Sequence, residues 1–495
     1  MRAHPSPIRS GFSAPKPCSS AMSPIRFTTE ERLLLWLVAL GFFMQSLDAT
    51  IVNTALPSIA ASLAESPLRM QSAVVAYALT MAALIPASGW LADRFGTRRI
   101  FTLAALLFAL GSLACALAPS LGWLVAARVL QGLGGALLLP VGRLAVLRSL
   151  PREKFLEAMS FVAIPGLMGQ LLGPALGGWL VEALSWHWIF LINLPVGLLG
   201  AWAATRWMPD LRDGTSGALD LAGFAMLTMA MVCISLSVDG LGGLGFRHVT
   251  VLVLLLAGLL ALAAYWLHAA RAPRPLFAPS LFAVQSLRVG MLGNLFARIG
   301  SGAMPYMIPL LMQLNMGYSP AQAGMLMLPM ALASMASKPL VTRLIHRHGY
   351  RRVLIANTLL LGLLIIGFAL MTPGQPLWLR VAQMMVFGAV NSMQFTSMNT
   401  VTLKDLGPHQ ASGGNSMLSM VQMLGMGFGV AVAAALIAAF QQWLGTPDPH
   451  QSLQAFRGAF VCIGVVTMLS AGIFWQLDAD VPQAGGASAS AGTNR

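Results

Sequence analysis

Long apolar runs separated by short polar punctuation dominate the 495-residue chain. About twenty apolar residues suffice for one membrane-spanning helix. On that measure spans are predicted at 33–57, 72–92, 100–118, 120–147, 157–182, 187–207, 218–238, 249–267, 286–314, 321–343, 353–371, 377–402, 412–440 and 458–476. The result is fourteen helices, with polar stretches at 1–32 and 478–495. The sharpest punctuation is Gly89-Trp90-Leu91-Ala92-Asp93-Arg94-Phe95-Gly96-Thr97-Arg98-Arg99. A turn carrying Asp93, Arg94, Arg98 and Arg99 has no place in hydrocarbon, so it is a tight loop at the boundary between water and lipid.

A weaker copy of this turn follows 253 residues later: His348-Gly349-Tyr350-Arg351-Arg352 aligns with Phe95 to Arg99, and His346 stands where Asp93 does. The chain therefore has two halves built on one plan. The same offset carries span one onto span nine and leaves spans seven and eight as an insert. The predicted units are a six-helix bundle at 33–207, a linker with two inserted spans at 208–284, and a second six-helix bundle at 285–477.

Composition sharpens the class. With 57% hydrophobic and 9% charged residues, the chain cannot be a set of soluble domains, which carry about 25% charge. It is an all-α polytopic membrane protein. A net charge of +14 would suggest nucleic acid on a soluble face, but here the basic residues fall in short loops, where they set orientation. Of 30 Lys and Arg, Arg69, Arg247, Arg380 and Arg457 fall on one side, Arg128 and Arg298 lie within spans, and the rest fall on the other side. That asymmetry predicts cytoplasmic N- and C-termini. The Pro-rich first thirty residues lack the apolar run of a signal peptide, and both Met1 and Met22 are candidate starts. Cys18, Cys115, Cys233 and Cys462 lie too far apart for a disulfide framework or a metal-ligand spacing.

Candidate chemistry rests on the few polar groups inside spans. Leu47 to Pro57 puts Asp48 and Asn53 in the first span. An acid there costs roughly 3 kcal/mol, so it must face the bundle interior and either pair for stability or carry a proton. Arg128, in the glycine-rich run Arg128-Val129-Leu130-Gln131-Gly132-Leu133-Gly134-Gly135, lies about 12 Å deep and Asp48 about 13 Å at about 1.5 Å per residue. The two are level, and contact is predicted, either direct or through water. Gly169, Gly173, Gly177 and Gly178 surround Pro174 in span five, a pattern suited to close packing and bending. Asn53, Gln131, Asn294, Arg298 and Met304 are candidates for a substrate cavity. Trp186 to Pro195 opens span six with aromatics suited to interfacial anchoring.

Taken together, Gly89 to Arg99, Arg128 to Gly135, Gly169 to Gly178, Leu47 to Pro57 and Trp186 to Pro195 resemble, in order, the loop, fourth-span, fifth-span antiporter and branch signatures of the major facilitator superfamily, in its fourteen-span drug:proton antiporter branch. His187 departs from the arginine common in that branch, and span thirteen lacks the acid some relatives carry. The resemblance implies a bacterial inner-membrane exporter of small, mostly lipophilic compounds. It would work by alternating access, driven by protons without a cofactor, and as a monomer. Asp48 would accept the proton with Arg128 as partner, Gly173 and Pro174 would form the antiporter hinge, and Asp93 would meet the start of span thirteen at Ser412-Gly413-Gly414. Two buried arginines against one buried aspartate favour an alternative cargo, an anionic metabolite or metal chelate. A non-transporting membrane sensor is a remote third reading. No spaced nucleophile and base or phosphate-binding loop points to an enzyme.

Overall fold

The computed structural model describes residues 27–212, 218–240, 248–445 and 449–477. The tails, Met22 and Arg247 lie outside the described residues. Within them every regular element is helical, as a lipid-embedded chain requires, because each backbone donor and acceptor must then be satisfied within its own segment. The first bundle contains α1 (Thr29–Ser62), α2 (Gln71–Phe95), α3 (Thr97–Ala116), α4 (Leu121–Ser149), α5 (Arg152–Ala183), α6 (Trp188–Leu191) and α7 (Asn193–Trp207). The insert is α8 (Leu221–Gly240) and α9 (His248–Ala269). The second bundle contains α10 (Gln285–Asn315), α11 (Pro320–Leu326), α12 (Leu328–Ala336), α13 (Lys338–Gly367), α14 (Leu377–Leu403), α15 (Pro408–Leu444), α16 (Pro449–Leu469) and α17 (Ala471–Phe474).

Thirteen of the described helical segments are long and apolar enough to cross a membrane. The fourteenth expected span is α14, whose 27 residues are long enough but include Arg380, Gln383, Asn391 and Gln394, which lower its hydropathy. Polar caps lengthen several helices past their apolar runs. α1 begins at Thr29 rather than 33 because the Thr28 hydroxyl accepts from the Glu31 amide at 3.2 Å while Glu31 accepts from the Thr28 amide at 2.7 Å, a reciprocal cap.

The two halves repeat in three dimensions. α1 packs on α5, α3 on α4 and α7, and α2 on α4. Correspondingly α10 packs on α15, α13 on α14 and α16, and α12 on α14. The repeated turn is the clearest marker: Gly96 has φ 97° and ψ 142°, and Gly349, inside α13, has φ 76° and ψ 162°. A side chain is strained at such positive φ, which explains why glycine closes both turns.

The bundles meet along α2 with α15, α5 with α11, and α1 with α10. At the end away from Gly96 one apolar cluster runs through both bundles, from Ile51 and Leu56 to Tyr306, Leu311 and Ala433. Nearer the Gly96 end each bundle has a buried cluster of its own, and the two stay joined along the α2–α15 seam, where Ala82 packs with Met417 and Met420. The bundles are thus closed together at the far end, and toward the Gly96 end they touch along the α2–α15 seam while the rest of their cores separate. The inserted hairpin lies over the seam between α2 and α15. Asp220, just before α8, clamps it: the carboxylate accepts from the Gly223 amide at 2.8 Å and the Leu276 amide at 3.2 Å, and lies 2.7 Å from His268 Nε2. Burial pushes the Asp220 carboxyl up, but these hydrogen bonds outweigh it and hold the group below the usual carboxylate range.

Candidate functional site: a buried charge network beside a central cavity

Asp48, fully buried on α1, meets Arg128 of α4 directly. Arg128 Nη1 lies 2.7 Å from Asp48 Oδ2. The other carboxylate oxygen accepts from Gln131 Nε2 at 2.7 Å and from Asn193 Nδ2 at 3.2 Å. Ser112 of α3 accepts from both amides, at 2.7 and 3.3 Å. Arg128 also donates to Gln131 Oε1 at 2.6 Å and to the Ala73 carbonyl at 3.3 Å, and its guanidinium lies 4.1 Å from the centre of the Tyr77 ring. Four helices of the first bundle and the start of α7 therefore converge on one carboxylate. Such a buried pair persists only when its remaining donors and acceptors are largely occupied, and here both Asp48 oxygens and the Nε and Nη1 of Arg128 are.

Sequence reasoning placed Asp48 and Arg128 at one level but missed Ser112, Asn193 and Tyr77. Asn193 lies within the Trp186 to Pro195 stretch, where the aromatics suggested anchoring alone. The detectable signal was an amide with no interfacial reason to be there.

A cavity of about 270 Å³ lies between the bundles. Thr50 and Asn53 of α1 and Gln170 and Pro174 of α5 line one wall; Arg298 of α10, Asn391 and Phe395 of α14 and Met426 of α15 line the other. Lys338 lines it as well and is exposed near the Gly349 turn, so the cavity reaches toward the Gly96 end. No carboxylate is among its described lining residues. Arg298 is 7% exposed; its Nε donates to Asn294 Oδ1 at 3.3 Å, its guanidinium lies 4.4 Å from the Phe395 ring centre, and its Nη2 has no protein partner.

The structure divides the expected cavity set between several places. Asn53 and Arg298 line the cavity. Gln131 instead belongs to the charge network, Asn294 is buried and bonded to the Gly290 carbonyl at 2.9 Å, and Met304 is buried in the apolar core. Gln131 and Asn294 bond to groups of their own bundle and Met304 packs in the cluster that joins the two, and polar residues spread along a mostly apolar helix do not reveal in sequence which face meets the cavity.

The motif glycines of α5 divide between two partners. Gly169, Gly173 and Gly177 lie against α1, at Phe43, Thr50 and Ile51. Gly178 instead meets the Pro320 carbonyl of α11, and Gly324 of α11 meets the Pro174 carbonyl. α5 passes through Pro165 and Pro174 as one helix. Beyond this crossing, Glu182 Oε2 accepts from Ser319 Oγ at 2.8 Å and from the Ala321 amide at 3.3 Å, while Gln313 Nε2 donates to the Thr54 carbonyl at 2.9 Å. These contacts shut the end opposite Gly96.

At the Gly96 end, Asp93 Oδ1 lies 2.7 Å from Arg148 Nη2 in the same bundle. Its ionic partner is therefore Arg148 and not the start of α15. Arg98 Nε donates to the Met208 carbonyl at 2.5 Å, and Thr97 Oγ1 to the Pro209 carbonyl at 2.8 Å, so the turn holds the segment after α7. Arg94 and Arg99 are exposed, as is Gly89.

Comparison with known proteins agrees with this architecture. The model of the Major Facilitator Superfamily matches residues 38–429 and 290–493. The chain is 48% identical to the multidrug resistance protein MdtD of Serratia proteamaculans over 92% of this chain and 95% of that one. It is 50% identical to the MdtD of Pectobacterium atrosepticum over 89% and 92% respectively. In fold it is similar to a bacterial homologue of the human lysosomal transporter Spinster, in an inward-facing, unoccupied conformation, with a TM-score of 0.64 at 16% identity over 91% of this chain and 97% of that one. A D-xylose–proton symporter gives a TM-score of 0.64 at 16% identity over 90% and 97%. Sequence, fold and the paired Gly96 and Gly349 turns agree: the chain is a multi-pass membrane transporter, not an enzyme, and belongs to the major facilitator superfamily.

Proposed function

We propose that this secondary transporter exports small, mostly lipophilic compounds in exchange for protons, by alternating access in the bacterial inner membrane. The observation that carries the reading is the position of Asp48: it stands on α1, the helix that also presents Thr50 and Asn53 to the cavity, and it is tied to Arg128 of α4. A proton arriving at Asp48 removes the charge that holds Arg128 and both amides. α1 is then less firmly held to α4 and α7. Because α1 packs along the glycine face of α5, and α5 closes on α11, that change acts on the shut end of the cavity. Proton and cargo thus use neighbouring faces of one helix rather than one pocket.

The arginine-rich loops favour an orientation with the Gly96 end and both termini in the cytoplasm. In that orientation the cavity faces the cytoplasm, ready to load cargo, and the inward proton gradient drives the return. The names of the MdtD relatives support multidrug efflux. A second reading, export of an anionic metabolite or metal chelate, is favoured by Arg298 and Lys338 in a cavity without a lining carboxylate. Proton flux in inverted vesicles tests the proposal. Adding a lipophilic cargo should release an imposed proton gradient with wild type and not with Asp48→Asn. Equal flux from both proteins would remove Asp48 from the mechanism.

A further inference from the structure

Asp239 is a second buried carboxylate, and it belongs to neither bundle. It stands at the end of α8, in the insert, and is 4% exposed. Its Oδ1 accepts from Nε2 of Gln71 at 3.0 Å. Gln71 is 1% exposed and is the first residue of α2, in the first bundle. From the second bundle comes Tyr306 of α10, fully buried with an unpartnered hydroxyl, in the apolar cluster against which Val238, the neighbour of Asp239, packs. Three structural units therefore meet at one carboxylate, at the end where the bundles are shut.

The surroundings differ from those of Asp48. Asp48 has a guanidinium and two amides; Asp239 has one amide and, among the described residues, no ion-pair partner. On α2 the titratable groups are Tyr77, Asp93 and Arg94, of which Tyr77 faces Arg128 and the others lie at the Gly96 end. Arg69, just before α2, is exposed and paired with Glu65 at 2.6 Å. The one titratable residue of α15 is His409, in its first turn at the Gly96 end; on α9, Tyr265 and His268 lie at the end away from Asp239, by Phe277 and Asp220, while His248 opens the helix at the end it shares with Asp239, and Arg247 before it lies outside the described residues. α10 contributes Tyr306 at this level, while its Arg298 lines the cavity.

We propose that Asp239 is a proton-binding site that couples acidity on the far side of the membrane to closure of the seam between the bundles. The proposal rests on alternating access alone, and on neither the cargo nor the role of Asp48. An ionised carboxylate whose described donor is one neutral amide is costly in an apolar seam, so the shut state holds the neutral acid. Parting the bundles at this end brings water to Asp239 and favours the carboxylate. By linkage, acid on that side stabilises the shut state, and each unit of difference in proton affinity shifts the balance of states about tenfold. The insert thereby has a task of its own, as a sensor laid across the moving seam.

The test is a distance distribution between spin labels on Leu184→Cys and Leu314→Cys, in the full chain with its other cysteines replaced and reconstituted in lipid nanodiscs. Both sites are exposed at the far end, one in each bundle. Between pH 8 and pH 5 the ratio of short to long distances should rise about tenfold or more with Asp239 present. Asp239→Asn, a neutral mimic, should show the short distance at pH 8 and lose most of the pH response. Gln71→Leu removes the one donor to the carboxylate among the described residues and should move the midpoint to higher pH with Asp239 intact. An Asp239→Asn protein that keeps the full response overturns the proposal. If that variant does not fold, an unmoved midpoint in Gln71→Leu overturns it instead. Loss of proton flux in Asp48→Asn, with the distance response unchanged, separates this site from the transport reading.

Discussion

Gly178 of α5 and Pro320 at the head of α11 meet so closely that no side chain fits between the helices, and Gly324 makes the reciprocal contact with Pro174. Because the two helices belong to different bundles, this crossing measures how far the end opposite Gly96 can close. A methyl group on Gly178 would press on backbone, which cannot swing aside. Forcing extra carbon into such a contact typically costs about 1–3 kcal/mol, or about 5- to 150-fold in the balance between shut and parted states. Gly178→Ala should therefore raise thiol labelling of the cavity from the far side, while Gly200→Ala, with nothing near its position, should not. Equal labelling of the two variants would deny the crossing its sealing role.

The pair of Asp48 and Arg128 makes a different demand. Asp48→Asn abolishes the charge that would carry the proton, but it also leaves a fully buried guanidinium without its counterion. Breaking one side of a buried pair costs about 3–5 kcal/mol, so the single variant should lose both proton uptake and thermal stability. Asp48→Asn with Arg128→Gln should regain much of the stability and none of the proton uptake. Proton uptake by the double variant would place the site elsewhere.

Asp93 and Arg148 offer a weaker contact. Their side chains are 22% and 26% exposed, and pairs of that kind contribute about 0–1 kcal/mol. In the state described here, Asp93→Asn and Arg148→Ala should each change the melting temperature little, and a double-mutant cycle should give a coupling within that range. A coupling well above that range would show that the pair is shielded from water more than its exposure indicates.

What could be seen in the sequence follows from physical necessity. Gly96 and Gly349 stood out because a charged turn between apolar runs has few solutions, and their shared positive φ carries the repeat into the fold. Asp48 and Arg128 stood out because charge in hydrocarbon needs a reason. Ser112 and Asn193 did not, since neutral polar residues are tolerated in membrane helices and their convergence on Asp48 arises only from tertiary packing. The place of Gln131 in that network was hidden for the same reason. Asp239 was hidden by a boundary: the apolar run of span seven ends at 238, which leaves the acid looking like a loop residue, whereas α8 continues through Gly240.

Charge in the cavity governs the last expectation. Arg298 and Lys338 line it, no carboxylate does among its described residues, and Asp48 lies apart with both oxygens engaged. A buried charge needs its own counter-charge, so a doubly charged cation would meet two cations and no partner. Divalent cations should therefore be poor cargo, while neutral and singly charged compounds are tolerated. Arg298 has one nitrogen without a protein partner and a ring at Phe395 beneath it, an arrangement that can receive an anionic group beside an apolar body. Arg298→Ala should then reduce transport of anions more than of neutral compounds, with roughly a tenfold difference for each 1.4 kcal/mol of lost interaction. The measurement is a panel of compounds matched in size and hydrophobicity but differing in charge, run on wild type and Arg298→Ala. Robust export of a dication by wild type would overturn the electrostatic argument, and equal losses across the panel would make Arg298 a packing residue held by Asn294.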